Sequence, residues 1–137
     1  MSQLIAFLLL PRPLNGLITA LSVGVGILTA DGTPTWFSGL LAALSAALIN
    51  GAGNTFNDLV DIEIDRINRP ERPLPSGRIS PLAARGQILI LTTAGCLVGF
   101  WLSPWHGLIA LLVALLLAIY SIFLKNSLLW GNILVAF

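Results

Sequence analysis

Four long apolar stretches dominate this chain of 137 residues. They cover residues 14–30, 36–57, 82–102 and 108–124, and a further apolar stretch begins at residue 128. A helix needs about 20 apolar residues to cross the hydrocarbon core of a bilayer, and these stretches reach or approach that length. Since lipid offers no hydrogen-bond partners, the helix is the open-chain conformation that satisfies the backbone there. The sequence therefore predicts an all-α, multi-pass transmembrane bundle with four complete spans and the start of a fifth.

The charge content agrees with a membrane protein and excludes several functional classes. Only 9% of the residues are charged, whereas a soluble domain carries about a quarter. The net charge of +1 gives no indication of nucleic-acid binding. A single cysteine, Cys96, excludes an intramolecular disulfide and a cysteine-rich metal site. Cys96 lies in an apolar stretch, where we expect it to serve in packing.

The basic residues predict the orientation of the chain in the membrane. The connections at residues 31–35 and 103–107 contain no lysine or arginine. All seven basic residues fall at the other ends of the four spans: Arg12, Arg66, Arg69, Arg72, Arg78, Arg85 and Lys125. Because basic residues collect on the cytoplasmic side, the N-terminus and residues 57–80 are predicted to be cytoplasmic, on a protein of the plasma membrane.

Residues 57–80 contain five of the six acidic residues and directly follow an apolar stretch. Carboxylates next to lipid are costly and are usually kept for function. On a helix that turns about 100° per residue, six polar side chains share an arc of roughly 100°, and Glu63 points the opposite way. The six are Asn54, Asn57, Asp58, Asp61, Asp65 and Asn68. This face offers carboxylate and amide oxygens, which suit a hard cation such as Mg²⁺.

The acidic face also predicts a phosphate-containing ligand. Carboxylates three and four residues apart repel one another unless cations lie between them. Mg²⁺ commonly binds one or two protein carboxylates together with substrate phosphates, so a diphosphate is the expected partner. Four arginines of the following segment are candidates for contacting it: Arg66, Arg69, Arg72 and Arg78. The alternatives are that these arginines only set topology and that the acidic face is merely solvated.

The proline-rich continuation predicts where this helix ends and the next begins. Pro70, Pro73 and Pro75 cannot continue a helix, so it should end near Asn68. Ser80 and Pro81 then have the pattern of an N-cap followed by the first helical residue.

Two adjoining motifs, residues 57–65 (NDLVDIEID) and 67–77 (INRPERPLPSG), resemble the first aspartate-rich motif of the UbiA superfamily of intramembrane prenyltransferases. Two weaker segments agree with it. Residues 12–15 (RPLN) are similar to the start of the family's first helix. Residues 120–125 (YSIFLK) and 131–132 (GN) are similar to the end of its fourth helix and the start of its fifth. The resemblance covers almost the whole chain.

The resemblance implies the N-terminal half of a bundle of nine transmembrane helices around a cavity that opens laterally to lipid. It implies transfer of a prenyl group from a polyprenyl diphosphate to an acceptor. Asn57, Asp58, Asp61 and Asp65 would bind Mg²⁺ that bridges the diphosphate, with the three aspartates catalytic. The remaining residues would bind substrate: Arg69, Arg72 and Lys125 at the diphosphate, Asn15 and Tyr120 in the cavity wall.

The segment 67–80 is most similar to enzymes that transfer geranylgeranyl groups to a glycerol-phosphate lipid. Chlorophyll synthases and prenyltransferases with aromatic acceptors are the alternatives. Members of the family carry a second aspartate-rich motif, yet no acidic residue follows Glu71 here. We therefore expect residues 1–137 to be part of a longer prenyltransferase domain, inactive alone. The alternative from another class is a small non-catalytic membrane protein that binds cations or lipid.

Overall fold

The computed structural model describes residues 2–29 and 35–124. Its helices are, in chain order, α1 Gln3–Leu9, α2 Pro13–Thr29, α3 Trp36–Val60, α4 Ile62–Asn68, α5 Pro81–Leu102 and α6 Pro104–Ile119, which continues into a π-helical turn, Tyr120–Leu124. Four stretches are long and apolar enough to cross a membrane: Gln3–Thr29, Trp36–Val60, Pro81–Leu102 and Pro104–Phe123. The predicted all-α fold with four complete spans is confirmed. The predicted start of a fifth span, at residue 128, lies outside the described residues.

Helix α3 is the centre of the arrangement and packs against α2, α5 and α6. Its contact with α5 is the most extensive, and a glycine makes it close. A Cβ on Gly95 would lie only 2.8 Å from Cδ1 of Ile49. The hydroxyl of Ser45 on α3 donates a hydrogen bond of 2.8 Å to the carbonyl of Gly95. A small residue and an interhelical hydrogen bond are the means by which helices associate in lipid, where burial of apolar surface gives little driving force.

Two helix starts share one sequence signature. Ser80 accepts a hydrogen bond from the backbone N–H of Ala83, and Pro81 is the first residue of α5, as predicted. Ser103 and Pro104 repeat this pattern at α6, where Ser103 accepts from the N–H of His106. The predicted start of the fourth span at residue 108 is therefore wrong by four residues (104 against 108). A serine that caps the backbone and a proline at the first helical position start the helix before the apolar run.

The acidic segment is not one straight helix. Helix α3 ends at Val60, and Asp61 has φ −87° and ψ 4°, between the α3 and α4 helices. Hydrogen bonds from Asp61 N–H to the Asn57 carbonyl and from Asp65 N–H to the Asp61 carbonyl carry the chain through this break. Helix α4 ends at Asn68, as the prolines predict. The expectation of a single regular helix over residues 54–68 is wrong at one residue, Asp61, which lies between α3 and α4.

Candidate functional site

The turn between α1 and α2, residues 11–13 (the elbow), lies against one face of α3. A Cβ on Gly51 would be 3.1 Å from Cβ of Pro11, so the glycine gives the elbow room to approach. The side-chain amide of Asn54 donates to the Pro11 carbonyl at 3.2 Å. Arg12 forms an ion pair with Asp58. Residues 51, 54 and 58 are three and four positions apart, so the elbow contacts three successive turns of one helix face.

Arg12 adopts an uncommon backbone conformation in this elbow. Its φ is 54°, the left-handed region that a non-glycine residue enters at a cost of about 1 kcal/mol. Its N–H donates to the Leu9 carbonyl at 3.0 Å, and its own carbonyl accepts from Asn15 N–H at 2.9 Å. The backbone is thus fixed on both sides of the residue, which directs the side chain towards α3.

Two carboxylates and two arginines form a network at the end of α3. Both arginines contact the same oxygen, Oδ1 of Asp58: Arg12 through Nη2 and Arg72 through Nη1, the latter at 3.3 Å. The same Nη1 of Arg72 donates to Oδ2 of Asp65 at 2.6 Å. The side chains of Asp58 and Asp65 are only 8% and 9% exposed, that of Arg72 is 21% exposed and that of Arg12 is 36% exposed. Carboxylates removed from water to this degree need such partners, because an unpaired buried charge is strongly destabilising.

Asp61 lines a polar cavity of about 360 Å³. Its Oδ2 accepts a hydrogen bond of 3.1 Å from the side-chain amide of Asn57. Eight residues from α3, the helix break, α6 and the π-helical turn line this cavity: Asn50, Gly53, Asn54, Asn57, Asp61, Leu117, Tyr120 and Ser121. Asp61 thus lines the polar cavity, whereas Asp58 and Asp65 contact arginines.

A second, larger cavity of about 660 Å³ adjoins the polar one. Helices α2, α3, α5 and α6 line it, mostly with apolar or small side chains such as Val23, Ala46 and Val113. The two cavities share Asn50 and Leu117 in their walls. The large cavity extends along α6 from Leu117 to His106, eleven residues or roughly 16 Å of helix. A polar cavity with a carboxylate thus lies next to an elongated apolar one.

The segment that carries Arg72 is packed in place. Residues 69–80 form successive turns, with hydrogen bonds from Ser76 N–H to the Arg72 carbonyl and from Ile79 N–H to the Pro73 carbonyl, at 3.0 and 3.1 Å. Arg78 donates within the same segment, to the Ser76 hydroxyl at 2.8 Å and to the Glu71 carbonyl. A small buried cluster anchors the segment to α1 and α5: Ala6, Leu10, Leu74, Ile79 and Ala84. Arg72 therefore projects from a fixed loop.

Of the four other predicted site residues, one lines a cavity, two are exposed outside the cavities and one lies outside the described residues. Tyr120 lines the polar cavity, in agreement with its predicted role in a cavity wall. Asn15 is exposed on α2 and is absent from the walls of both cavities. Arg69 follows α4 and is exposed, and it makes no ion pair with the described part of the chain. Lys125 lies outside the described residues.

Sequence reasoning misses two kinds of residue. Asn50 and Ser121 line the polar cavity, and Asn50 could have been found because it lies four and seven positions before Asn54 and Asn57 on the same helix face. Arg12 enters the sequence analysis only as a topological signal and as part of a family motif. Its pairing with Asp58, 46 residues later, has no local sequence signal.

The donor set fits Mg²⁺ in chemistry although it is not a complete protein site. Within residues 2–29 and 35–124, no three His, Cys, Asp or Glu side chains form a group that could hold a metal ion. Asp61, Asn57 and Asn54 nevertheless bring one carboxylate and two amides to one cavity wall. Mg²⁺ requires only one or two protein carboxylates when phosphates and water complete its octahedron. The residues present thus suit a metal that arrives with a phosphate ligand.

Comparison with known proteins identifies relatives over nearly all of the chain. The UbiA prenyltransferase family matches residues 16–137. A digeranylgeranylglyceryl phosphate synthase of Methanoculleus marisnigri is 39% identical over 132 residues, which cover 96% of this chain and 47% of the relative. That of Methanothermobacter thermautotrophicus is 41% identical over 126 residues, covering 92% of this chain and 44% of the relative.

A solved structure is also similar to nearly all of this chain. It concerns digeranylgeranylglyceryl phosphate synthase in membranes, matches with a TM-score of 0.91 and is 32% identical to this chain. The match covers 98% of this chain and 49% of the solved one. The chain spans about half the length of the curated relatives it matches.

Proposed function

The chain belongs to the UbiA prenyltransferase family, and on that premise we propose that it forms the diphosphate-binding part of a Mg²⁺-dependent enzyme of the membrane. The enzyme would transfer a prenyl group from a polyprenyl diphosphate, with geranylgeranyl diphosphate the expected donor, to a glycerol-phosphate lipid. The observation that carries the proposal is the junction at Asn50 and Leu117, where a polar cavity with Asp61 meets an elongated apolar cavity. A prenyl diphosphate has the same two parts, one anionic and one apolar.

Different residues would bind the metal, the diphosphate and the rest of the substrate. Asn57, Asp58, Asp61 and Asp65 would hold Mg²⁺, with Asp61 and Asn57 at the polar cavity itself. When bound, the metal would act as a Lewis acid that stabilises the charge of the departing diphosphate. Arg72, on its anchored loop, would contact the same charge, together with Arg69 and Lys125. Tyr120 would line the path of the substrate at the polar cavity. A substrate contact of Asn15 stays a prediction from the family resemblance, because Asn15 lies outside both cavity walls.

The apolar cavity would protect the reacting group from water. Cleavage of the bond between the allylic carbon and the diphosphate oxygen leaves a carbocation that water would trap. Most of the side chains in its wall are apolar, such as Val23, Ala46 and Val113. The hydroxyls of Thr19 and Ser45 also line it, but each donates a hydrogen bond to a backbone carbonyl. The acceptor hydroxyl would therefore be the group that attacks. The proton released from that hydroxyl would leave with the diphosphate.

Substitution of Ala46 by Phe tests the assignment of the apolar cavity to the prenyl chain. The larger side chain would fill space in the cavity wall and displace about two methylenes of the donor, roughly 1.6 kcal/mol, so KM for the prenyl diphosphate should rise about tenfold. Transfer kinetics of the complete protein in membranes would give KM. Ala83→Phe, on the exposed surface of α5, is the matched control and should leave KM unchanged. An unchanged KM in Ala46→Phe would mean that the chain binds elsewhere.

The proposed orientation places the acidic segment in the cytoplasm of a protein of the plasma membrane. The support is the distribution of basic residues, which the connections at residues 31–35 and 103–107 lack. A topology reporter fused after Ser76 should be active in its cytoplasmic form, and one inserted after Ser103 should be active in its external form. The opposite pair of results would reverse the orientation.

The proposed acceptor is inferred from the relatives of this chain. The relatives named as digeranylgeranylglyceryl phosphate synthases support a glycerol-phosphate lipid. A competition assay that offers the complete protein a glycerol-phosphate lipid and an aromatic acid would separate the two acceptor classes. Prenylation of the aromatic acid alone would contradict the proposed acceptor and leave the donor assignment intact.

A further inference from the structure

We propose that Arg12 is a positioning residue of the diphosphate site, which keeps Asp58 paired so that Arg72 is free to turn towards the substrate. This inference rests on the proposed function. It starts from one oxygen atom, Oδ1 of Asp58, which both arginines contact. Two guanidinium groups contact this one carboxylate oxygen. We infer that one of them stays bound to Asp58 when substrate binds (the lasting partner) and that the other moves to the diphosphate (the exchangeable partner).

The contacts of Arg72 identify it as the exchangeable partner. Its Nη1 lies 3.3 Å from Asp58, a long hydrogen bond, and 2.6 Å from Asp65. An arginine that moves to a diphosphate exchanges carboxylate oxygens for phosphate oxygens of similar chemistry. Its departure would leave two buried carboxylates, Asp58 and Asp65, whose side chains are only 8% and 9% exposed. Mg²⁺ that arrives with the diphosphate would compensate Asp65, and Arg12 would remain at Asp58.

The construction of the elbow identifies Arg12 as the lasting partner. Gly51 admits Pro11 to the surface of α3, and Asn54 donates to the Pro11 carbonyl at 3.2 Å. Arg12 itself has a φ of 54° between two prolines, a conformation that persists only when its surroundings fix it. These features hold the guanidinium against Asp58 through contacts of the elbow with α3.

The two arginines would therefore have different roles, Arg12 at Asp58 and Arg72 at the diphosphate. With Arg12 present, Asp58 remains compensated whether Arg72 is on the carboxylates or on the diphosphate. Without Arg12, Arg72 is the remaining described partner of Asp58 and is retained there, so the diphosphate must compete with a carboxylate for it. Loss of Arg12 should therefore weaken diphosphate binding more than it slows the chemical step.

Calorimetric binding of Mg²⁺-pyrophosphate to the complete protein in detergent tests this inference. Arg12→Ala should raise the Kd about tenfold, the loss expected when a charge-assisted contact is withdrawn from the ligand. Arg12→Lys, which keeps the charge, should recover part of the affinity. Guanidinium ion at millimolar concentration should also restore binding to Arg12→Ala, because the Arg12 side chain is 36% exposed and its site is open to solvent. In transfer assays KM for the donor should rise about tenfold while kcat changes less than about threefold.

The controls separate failure of this inference from failure of the proposed function. Arg85→Ala removes a positive charge from the exposed surface of α5 and should leave pyrophosphate binding unchanged. If the unaltered protein does not bind Mg²⁺-pyrophosphate, the proposed function fails. If it binds and Arg12→Ala binds equally well, or if guanidinium does not restore the loss, the positioning role of Arg12 is refuted and the proposed function stands.

Discussion

Asp61→Ala is expected to reduce prenyl transfer by on the order of a hundredfold or more, equivalent to roughly 3 kcal/mol of transition-state stabilisation. Of the three aspartates in the acidic segment, Asp61 lines the polar cavity, and its Oδ2 is hydrogen-bonded to Asn57 at 3.1 Å. Its removal would take a carboxylate from the metal while leaving the pairs of Asp58 and Asp65 with the arginines intact. The protein should therefore be produced in normal amounts.

The measurement is the initial rate of transfer per amount of folded protein in membranes, with expression judged by fluorescence-detected gel filtration. Glu63→Ala is the matched control, since it removes a carboxylate from the same segment whose side chain is 76% exposed and paired with the neighbouring Arg66. The control should transfer at the normal rate. A rate near normal for Asp61→Ala would show that this carboxylate has no part in the reaction.

Asp58→Ala is expected to affect folding as well as transfer. The substitution leaves Arg12 and Arg72 without the oxygen that both contact, and breaking a pair this buried costs about 2 kcal/mol or more. The cost should be smaller than for a fully buried pair, because Arg12 is partly exposed and Arg72 keeps a second partner, Asp65. The elbow would also lose one of its three contacts with α3.

Thermal unfolding in detergent would measure this second effect. A loss of about 2 kcal/mol should lower the unfolding temperature by several degrees. Glu63→Ala again serves as the control, because an exposed ion pair contributes about 0–1 kcal/mol. An unfolding temperature for Asp58→Ala equal to that of the unaltered protein would contradict the structural role of the pair.

Local signals are sufficient to predict the four membrane-spanning stretches and the loop after the acidic segment. Apolar length predicts the spans, the prolines predict the end of α4 at Asn68, and the pair of Ser80 and Pro81 predicts the start of α5. The same signal is present at Ser103 and Pro104, but the apolar run begins later and places the predicted start too far along the chain. These features depend on backbone hydrogen bonds within a few residues, which is why the sequence reveals them.

The arrangement of the three aspartates could not be predicted in this way. Helical periodicity treats residues 54–68 as one regular helix and assigns all three aspartates to one face. The φ and ψ of Asp61 break that helix, and the partners of Asp58 and Asp65 lie on other segments of the chain. Contacts between segments far apart in sequence decide which carboxylates contact Arg12 and Arg72 and which one lines the polar cavity. Spacing alone carries no information about them.

Binding of a prenyl diphosphate together with Mg²⁺ by the two adjoining cavities is the centre of the proposed function. The most direct measurement is transfer of a labelled geranylgeranyl group from its diphosphate to a glycerol-phosphate lipid by the complete protein in membranes, followed as Mg²⁺ is removed by a chelator and then restored. We predict that product formation stops with the chelator and returns with Mg²⁺. Equal product formation with and without divalent cation, or no transfer under any of these conditions, would contradict the proposal.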